Sequence, residues 1–341
     1  VLRVLLVRLG ALGDIVHGIP VAAALRRAEP SARIDWLVSA KHREILDLVP
    51  VIDRRLAVND RGSARAGVSL LAAVRELRRT RYDVAIDLQG LIKSALVARA
   101  SGASRVIGFA SGYLREPPAR LMYTEVYDPG EGGFRSSGVP RHIVALNLGL
   151  LELLGISADS PEFPFEAVDS AATREVHAQT AGRYALLNPG AAWPNKRWPP
   201  ARFAEVAAAL GERRGLRSVV LWGPGERDLG QAVVAAARGA AVLSPPTSIA
   251  DLVGLARGAT VMVSGDTGPT HIAAAVGTPI VGLYGPTRPE RNGPWRPGDV
   301  TVSRAAVCRC HHLRRCRLAR MCLLDIQVEE VVRAVERRLD G

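Results

Sequence analysis

The sequence predicts an α/β protein of two doubly wound domains, and three observations point there. Short aliphatic runs alternate with helix-period segments along the chain. The alternation stops at a Pro- and acid-bearing stretch, Gly155 to Ala172, and then restarts. The length, 341 residues, suits two domains of ordinary size. Strands and helices alternating in this way build parallel sheets covered on both faces.

In the first half, Leu2 to Val7 reads as a buried parallel strand and Asp14 to Arg27 as its helix. Strand Arg33 to Val38 and helix Lys41 to Leu48 follow, then strand Arg55 to Val58 and helix Val68 to Arg79. Strand Tyr82 to Asp87, helix Leu91 to Ala100 and a short strand Arg105 to Ile107 complete the series. The stretch Gly108 to Val139, rich in Gly, Pro and Arg, reads as an irregular binding segment, with helix His142 to Leu154 after it.

The pattern restarts with strand Tyr184 to Leu187, helix Ala201 to Arg213, strand Ser218 to Trp222 and helix Arg227 to Arg238. It continues with strand Ala241 to Leu243, helix Ile249 to Arg257, strand Thr260 to Ser264, helix Thr270 to Ala275 and strand Pro279 to Leu283. The expected division is residues 1–160 for the N-terminal Rossmann-like domain, 161–180 for a linker, 181–325 for the C-terminal Rossmann-like domain and 326–341 for a final helix. That helix, Val328 to Leu339, is amphipathic and is expected to pack back across the domains, with membrane contact as the alternative. Ligands in such sheets bind beyond the carboxyl ends of the strands, so two facing domains are expected to make a central cleft.

Composition excludes disorder: 48% of residues are hydrophobic and 23% charged. The net charge of +12 implies an anionic partner: nucleic acid, a phosphorylated substrate or an anionic membrane. No apolar run approaches the roughly 18 residues of a bilayer span. The opening segment has no basic leader and no small-residue cleavage site, and the expected location is cytoplasmic. No helix-turn-helix or RRM signature appears, and aromatics are only 5%, which argues against nucleic acid as the partner.

Four strand-end loops carry candidate chemistry. After the first strand comes Arg8-Leu9-Gly10-Ala11-Leu12-Gly13-Asp14-Ile15-Val16-His17, where Asp14 is either a helix cap or a group beside the cleft. The strand ending at Leu187 runs into Asn188 to Pro200, in which Lys196 and Arg197 are flanked by Trp193 and Trp198 before a helix. Adjacent cations there suit a diphosphate; a solvated basic turn with an anchoring Trp is the other reading. Gly265-Asp266-Thr267-Gly268-Pro269-Thr270-His271 forms an anion-binding turn, or else a Pro-initiated capped helix with a buried His271. No G-x-S-x-G elbow accompanies Asp266 and His271, so acyl hydrolysis is disfavoured. A fourth loop, Trp222 to Arg227, offers Glu226 to a ribose diol or to its own helix dipole.

Taken in order, these loops resemble one family, the glycosyltransferase family 9 heptosyltransferases that act in lipopolysaccharide core biosynthesis. The resemblance runs from Val4 to His17 through Ile34-Asp35-Trp36-Leu37-Val38 and Asp83 to Ser94, then Leu114-Arg115-Glu116-Pro117. It continues over Asn188 to Pro199, Asp266 to His271 and Leu283-Tyr284-Gly285-Pro286-Thr287. It implies a GT-B fold with an acceptor-binding N-terminal domain and a C-terminal domain that binds ADP-heptose. The implied reaction is inverting transfer of heptose to a 3-deoxy-D-manno-octulosonic acid (Kdo) residue on lipid A, by a protein peripheral to the cytoplasmic face of the inner membrane. By the same resemblance Asp14 is the general base and His17 its neighbour one turn on. Gly13, Lys196, Glu226, Asp266, Thr267, Gly268 and His271 then bind the donor, and Lys93 and Arg115 the anionic acceptor. No cofactor is required by this reading. Gly10-Ala11 and Ala191-Ala192 stand where family members often carry Thr or Ser, and Asp128 to Pro140 matches weakly.

The four cysteines, Cys308, Cys310, Cys316 and Cys322, lie in one basic segment with His311 and His312. They are candidate ligands for a structural zinc or iron, against packed reduced thiols or a disulfide; the C-x-C-x5-C-x5-C spacing departs from a zinc ribbon.

Overall fold

The computed structural model describes residues 1–59, 69–130, 133, 139–158, 160–311 and 313–341. The chain divides into two units, Val1–Glu166 and Ala167–Gly341.

The first unit is built on a six-stranded parallel sheet of β1 (Arg3–Val7), β2 (Arg33–Ser39), β3 (Arg54–Val58), β4 (Val84–Asp87), β5 (Arg105–Phe109) and β6 (Glu125–Tyr127). Their spatial order is β3-β2-β1-β4-β5-β6. The central strand β1 buries Val4, Leu5, Leu6 and Val7 completely, as a strand covered on both faces must. Registers such as Leu6↔Trp36 and Leu6↔Ile86 place its carboxyl end between those of β2 and β4.

The second unit repeats that plan. Its strands are β7 (Tyr184–Asn188), β8 (Arg217–Val220), β9 (Ala241–Leu243), β10 (Val261–Gly265), β11 (Ile280–Tyr284) and β12 (Val300–Ser303). They lie in the order β12-β11-β10-β7-β8-β9, all parallel. In both sheets the first two crossovers run one way and the remaining strands go to the other side of the first strand. The order therefore reverses between β1 and β4, and again between β7 and β10, which opens a crevice at each point.

Several elements depart from the sequence reading. The expected helix Asp14 to Arg27 is two helices, Leu12–Val16 and Ile19–Ala28. Gly18 sits at the break, where a Cβ would come within 2.9 Å of the Trp36 ring, and Pro20 opens the second helix. Val68, the expected start of the next helix, lies outside the described residues, as does most of Asp128 to Pro140. The helix itself runs Leu70–Thr80 from a Ser69 cap that accepts Ala72 N–H at 3.2 Å. The stretch expected to be irregular contains β6, an edge strand of three residues paired to β5. β12 is the corresponding edge strand of the second sheet.

The expected linker, 161–180, ends in a helix, Ala171–Thr180, packed against helix Ile249–Gly258. Its Ser170 and Thr173 cap one another, with Thr173 N–H on Ser170 Oγ at 3.2 Å and Ser170 N–H on Thr173 Oγ1 at 2.9 Å. The last helix, Val328–Asp340, belongs to the second unit. It buries Val331, Val332, Ala334 and Val335 in one core with Val261, Val263, Val281 and Leu283.

A buried polar hub fixes the carboxyl end of β4. Asp87 is wholly buried and accepts from Tyr123 Oη at 2.8 Å, Ser94 Oγ at 2.9 Å and Gln89 N at 2.9 Å. Burial raises its carboxyl above the ordinary range, and those donors work against the rise. Tyr123 reaches it because β5 carries Gly108, where a Cβ would collide with the tyrosine ring. Removing the donor strands an acceptor in the interior, so Tyr123→Phe should cost about 1–3 kcal/mol of stability. A urea titration monitored by circular dichroism reads the shift, and an unchanged midpoint would contradict the hub's role.

Candidate active site

Asp14 lies at the strand-order reversal of the first unit and Lys196 and the Asp266 turn at that of the second, whereas Arg115 and Glu226 lie beyond β5 and β8. In the first unit, Asp14 lies in the opening turn of helix Leu12–Val16, directly beyond β1. Its Oδ2 accepts Ala11 N–H at 3.1 Å and pairs with Arg8 Nη2 at 2.7 Å. Asp14 is thus the third residue of the helix and not its N-cap, which is Ala11; its carboxylate bonds the cap's N–H, and 43% of its side chain is exposed. Arg8, 10% exposed, also donates through Nη1 to the Leu88 carbonyl beyond β4. One guanidinium thus spans the reversal. Leu9 N–H donates to Gln89 Oε1 at 2.8 Å and closes the same gap.

His17 lies one turn beyond Asp14 and is 2% exposed. Its ring meets His142 edge-on at 6.0 Å, and its carbonyl accepts Asn147 Nδ2 at 3.0 Å. Gly13 is buried in the same short helix. Lys93 is the exposed second residue of helix Ile92–Ala100, and Arg115 is exposed in the segment beyond β5. Glu116 Oε2 accepts Ile92 N–H at 2.8 Å, which draws the neighbours of these two cations together.

In the second unit, Lys196 ends a short 3-10 turn, Pro194–Lys196, beyond β7. Its Nζ lies 2.6 Å from Asp266 Oδ2 and 4.7 Å from the centroid of the Trp193 ring. The other Asp266 oxygen is 3.0 Å from His271 Nε2. Burial works to raise the Asp266 carboxyl, but the His271 hydrogen bond and the Lys196 charge outweigh it and hold it well below the carboxylate range. Asp266 is thus an anion shared by two partners beyond β10. Thr267 stands at the N-cap position of helix Gly268–Ala275, and its Oγ1 is bonded to Thr270 Oγ1 at 3.0 Å and to Asn188 Nδ2 at 3.0 Å. Asn188 also donates to Ser264 Oγ at 3.0 Å, so β7 and β10 are tied across their reversal.

Glu226 precedes helix Arg227–Ala236 beyond β8, and its side chain accepts Arg197 Nη2 at 3.3 Å instead of capping the helix. It lies against Gly190, where a Cβ would collide with its carboxylate. Trp198 is the anchoring tryptophan: it is buried against Phe203 and donates to the Ile326 carbonyl at 3.2 Å. Sequence reasoning did not single out Arg8, Asp87 or Asn188, although each sits at the carboxyl end of a strand flanking a reversal, the signal that locates them.

The four cysteines are free thiols. Cys310 Sγ lies 3.3 Å from Cys316 Sγ and accepts Arg317 N–H at 3.4 Å. Burial and the adjacent Cys308 push the Cys322 thiol up to about 12. Among the described residues no group of three or more His, Cys, Asp or Glu is arranged to hold a metal; His312 lies outside them. The segment braces the Lys196 loop, because Asn195 Nδ2 donates to the Leu313 carbonyl at 2.9 Å. His311 Nδ1 is 3.0 Å from the Pro286 carbonyl beyond β11. Among the described residues no helix is long and apolar enough to cross a membrane.

Comparison with known proteins gives the class. Residues 70–321 match the model of glycosyltransferase family 9 (heptosyltransferase), and the chain belongs to that family. It is a glycosyltransferase with the GT-B fold. Among curated relatives, lipopolysaccharide heptosyltransferase 1 of Pseudomonas aeruginosa is 32% identical over 317 residues, spanning 90% of this chain and 85% of the relative. Lipopolysaccharide heptosyltransferase 3 of Escherichia coli is 28% identical over 301 residues, 83% of this chain and 82% of its own. The family 9 glycosyltransferase structure from Veillonella parvula superposes with a TM-score of 0.80 at 23% identity, covering 99% of this chain and 98% of its own. The E. coli heptosyltransferase WaaC with ADP gives 0.76 at 23% identity, covering 99% and 100%.

The depressed Asp266 pKa sets a pH dependence. A carboxyl held lower in the folded state adds stability above its unfolded value, about 4, and that stability is lost as pH falls through the folded value. Thermal melts should therefore fall more steeply below about pH 4 for the native chain than for Asp266→Asn, which has no such proton to take up. Parallel acid limbs would overturn this account of the pair.

Proposed function

We propose that the protein transfers heptose from ADP-heptose, with inversion, to a Kdo residue of the lipopolysaccharide inner core on lipid A. The observation that carries the reading is positional: Asp14 and Lys196 each follow the first strand of their sheet, at the reversal of strand order. Support comes from family membership and from P. aeruginosa heptosyltransferase 1 as a relative. It also comes from a like-folded E. coli WaaC structure with ADP-2-deoxy-2-fluoro heptose, at a TM-score of 0.73 and 24% identity.

In this reading Asp14 takes the proton of the acceptor hydroxyl as that hydroxyl attacks the anomeric carbon, and ADP leaves from the opposite face. Arg8 pairs with Asp14 and orients it, and buried His17 supports the helix that carries it. Lys196 leaves Asp266 for the departing diphosphate, while His271 keeps Asp266 in place. The amides around Thr267 and Gly268, at the start of helix Gly268–Ala275, add donors to the phosphate oxygens. Glu226 meets the ribose diol. No divalent ion enters the step. Lys93 and Arg115 bind acceptor carboxylates or phosphates. The cysteine segment is structural and braces the Lys196 loop; among the described residues, the arrangement of its thiols does not fit a zinc or iron ion. The protein works at the cytoplasmic face of the inner membrane, and its +12 charge suits that anionic surface.

Calorimetric titration with ADP-heptose, with UDP- and GDP-sugars as controls, followed by ADP release on adding Kdo-lipid A, tests the whole reading. Selective binding with acceptor-dependent release is expected. Binding without release would redirect the acceptor to a different core residue, a live alternative given the heptosyltransferase 3 relative. Asp14→Asn should keep ADP-heptose affinity and lower turnover at least about a hundredfold; near-normal turnover rejects the base. Lys196→Ala should weaken donor binding through the lost charge-assisted contact, and an unchanged dissociation constant would remove it from the donor site.

A further inference from the structure

Eight large apolar side chains stand exposed among the described residues, and four of them, Leu71, Ile92, Leu96 and Leu121, fall within one stretch of the first unit. Scattered exposed leucines need no explanation, but these share neighbouring elements. Helix Leu70–Thr80 is tied to helix Ile92–Ala100 by Arg78 Nε on the Ala100 carbonyl at 2.9 Å. The short helix Pro117–Met122 packs beside the latter and carries Leu121, 79% exposed. Between the first two helices runs an open groove of about 520 Å³. Leu70, Leu71 and Val74 line it from one side, and Ile92, Leu96 and Val97 from the other.

The spacing explains how so much apolar surface collects. Ile92 and Leu96 are one turn apart on the outward face of their helix, and Leu70 and Val74 are one turn apart on theirs. The inward faces of the same helices hold Ala73 and Leu77, and Ala95 and Ala98, fully buried. The outer stripe is therefore not core.

Charge decides what covers it. The three helices carry Arg75, Arg78, Arg79, Lys93, Arg99 and Arg120 against one carboxylate, Glu76. Glu76 is itself paired with Arg54 at 3.1 Å and with Arg79 at 3.5 Å. The charged residues that line the groove itself are Lys93 and Glu116, and cations prevail on the helices around it, which matches a lipid leaflet with anionic headgroups: apolar side chains enter the headgroup boundary while Arg and Lys meet phosphates.

We infer that this face, formed by helices Leu70–Thr80, Ile92–Ala100 and Pro117–Met122, seats the protein on an anionic bilayer. The choice of a bilayer as occupant rests on the proposed lipid-linked acceptor. The face carries Lys93 and lies next to Arg115, so docking would present the acceptor-binding cations to a headgroup sugar still anchored in the leaflet.

Co-sedimentation of the full chain with phosphatidylcholine vesicles, with and without phosphatidylglycerol, tests the face without donor or acceptor. Binding is expected only to the anionic vesicles and should fall steeply with added salt. The double variant Leu71→Glu/Leu96→Glu changes two exposed side chains and should lower vesicle partitioning at least about tenfold, with ADP affinity by calorimetry unchanged as the control for folding. Native-level partitioning by the variant, or no binding of the native chain to anionic vesicles, overturns the inference. So does a native dimer in sedimentation velocity that the same variant dissociates, since a second copy would then own the face. Vesicle binding without heptose transfer to Kdo-lipid A would leave this surface standing and sink the transferase reading. Transfer to a soluble Kdo oligosaccharide by a chain that ignores vesicles would do the reverse.

Discussion

Everything chemical in this protein depends on a constraint of parallel sheets: consecutive strands must be joined by crossovers, and a sheet that grows first to one side and then to the other leaves a gap between two carboxyl ends. Both units meet the constraint in the same way, with orders β3-β2-β1-β4-β5-β6 and β9-β8-β7-β10-β11-β12. The gap must be closed by something polar, because backbone groups at strand ends have no ladder partner. In the first unit Arg8 and Gln89 close it, and in the second Asn188 does so with Ser264 and Thr267. The candidate side chains beside each gap are thus tied to the framework.

Charge is managed in the same places. A chain of net +12 holds the key cation of each gap against a carboxylate: Arg8 against Asp14, and Lys196 against Asp266. The two pairs differ in burial. Asp14 is nearly half exposed and faces outward, whereas Asp266 is enclosed and anchored by His271. A buried anion with two partners is costly to disturb, so the lysine is the movable member of the second pair. The proposed division of tasks, proton transfer in one gap and anion binding in the other, rests on that asymmetry.

Much of this was legible in the residues. Central strands declared themselves as uninterrupted aliphatic runs, and their helices as periodic segments, because burial on two faces leaves little choice of side chain. The edge strands β6 and β12 were not read from the sequence, whereas the equally short edge strand β9 was. Helix Ala171–Thr180 was hidden by its polar surface, and only the Ser170–Thr173 capping pair marks it. At the site, Asp14, Lys196 and the Asp266 turn could be found from loop position. The partners that fix them could not, because Arg8 meeting Asp14, or Asp266 standing between Lys196 and His271, is a fact of three-dimensional packing across residues up to 70 apart in sequence.

One feature of the architecture bears on how the molecule is made. Each unit is a single continuous stretch, Val1–Glu166 and then Ala167–Gly341, and no strand is shared between the sheets. By the time Glu166 has been added, every neighbour of β1 already exists, so the first sheet can close while the second is still being translated. The ribosome thus delivers the two halves in sequence, and the half that carries Asp14 need not wait for the half that carries Lys196.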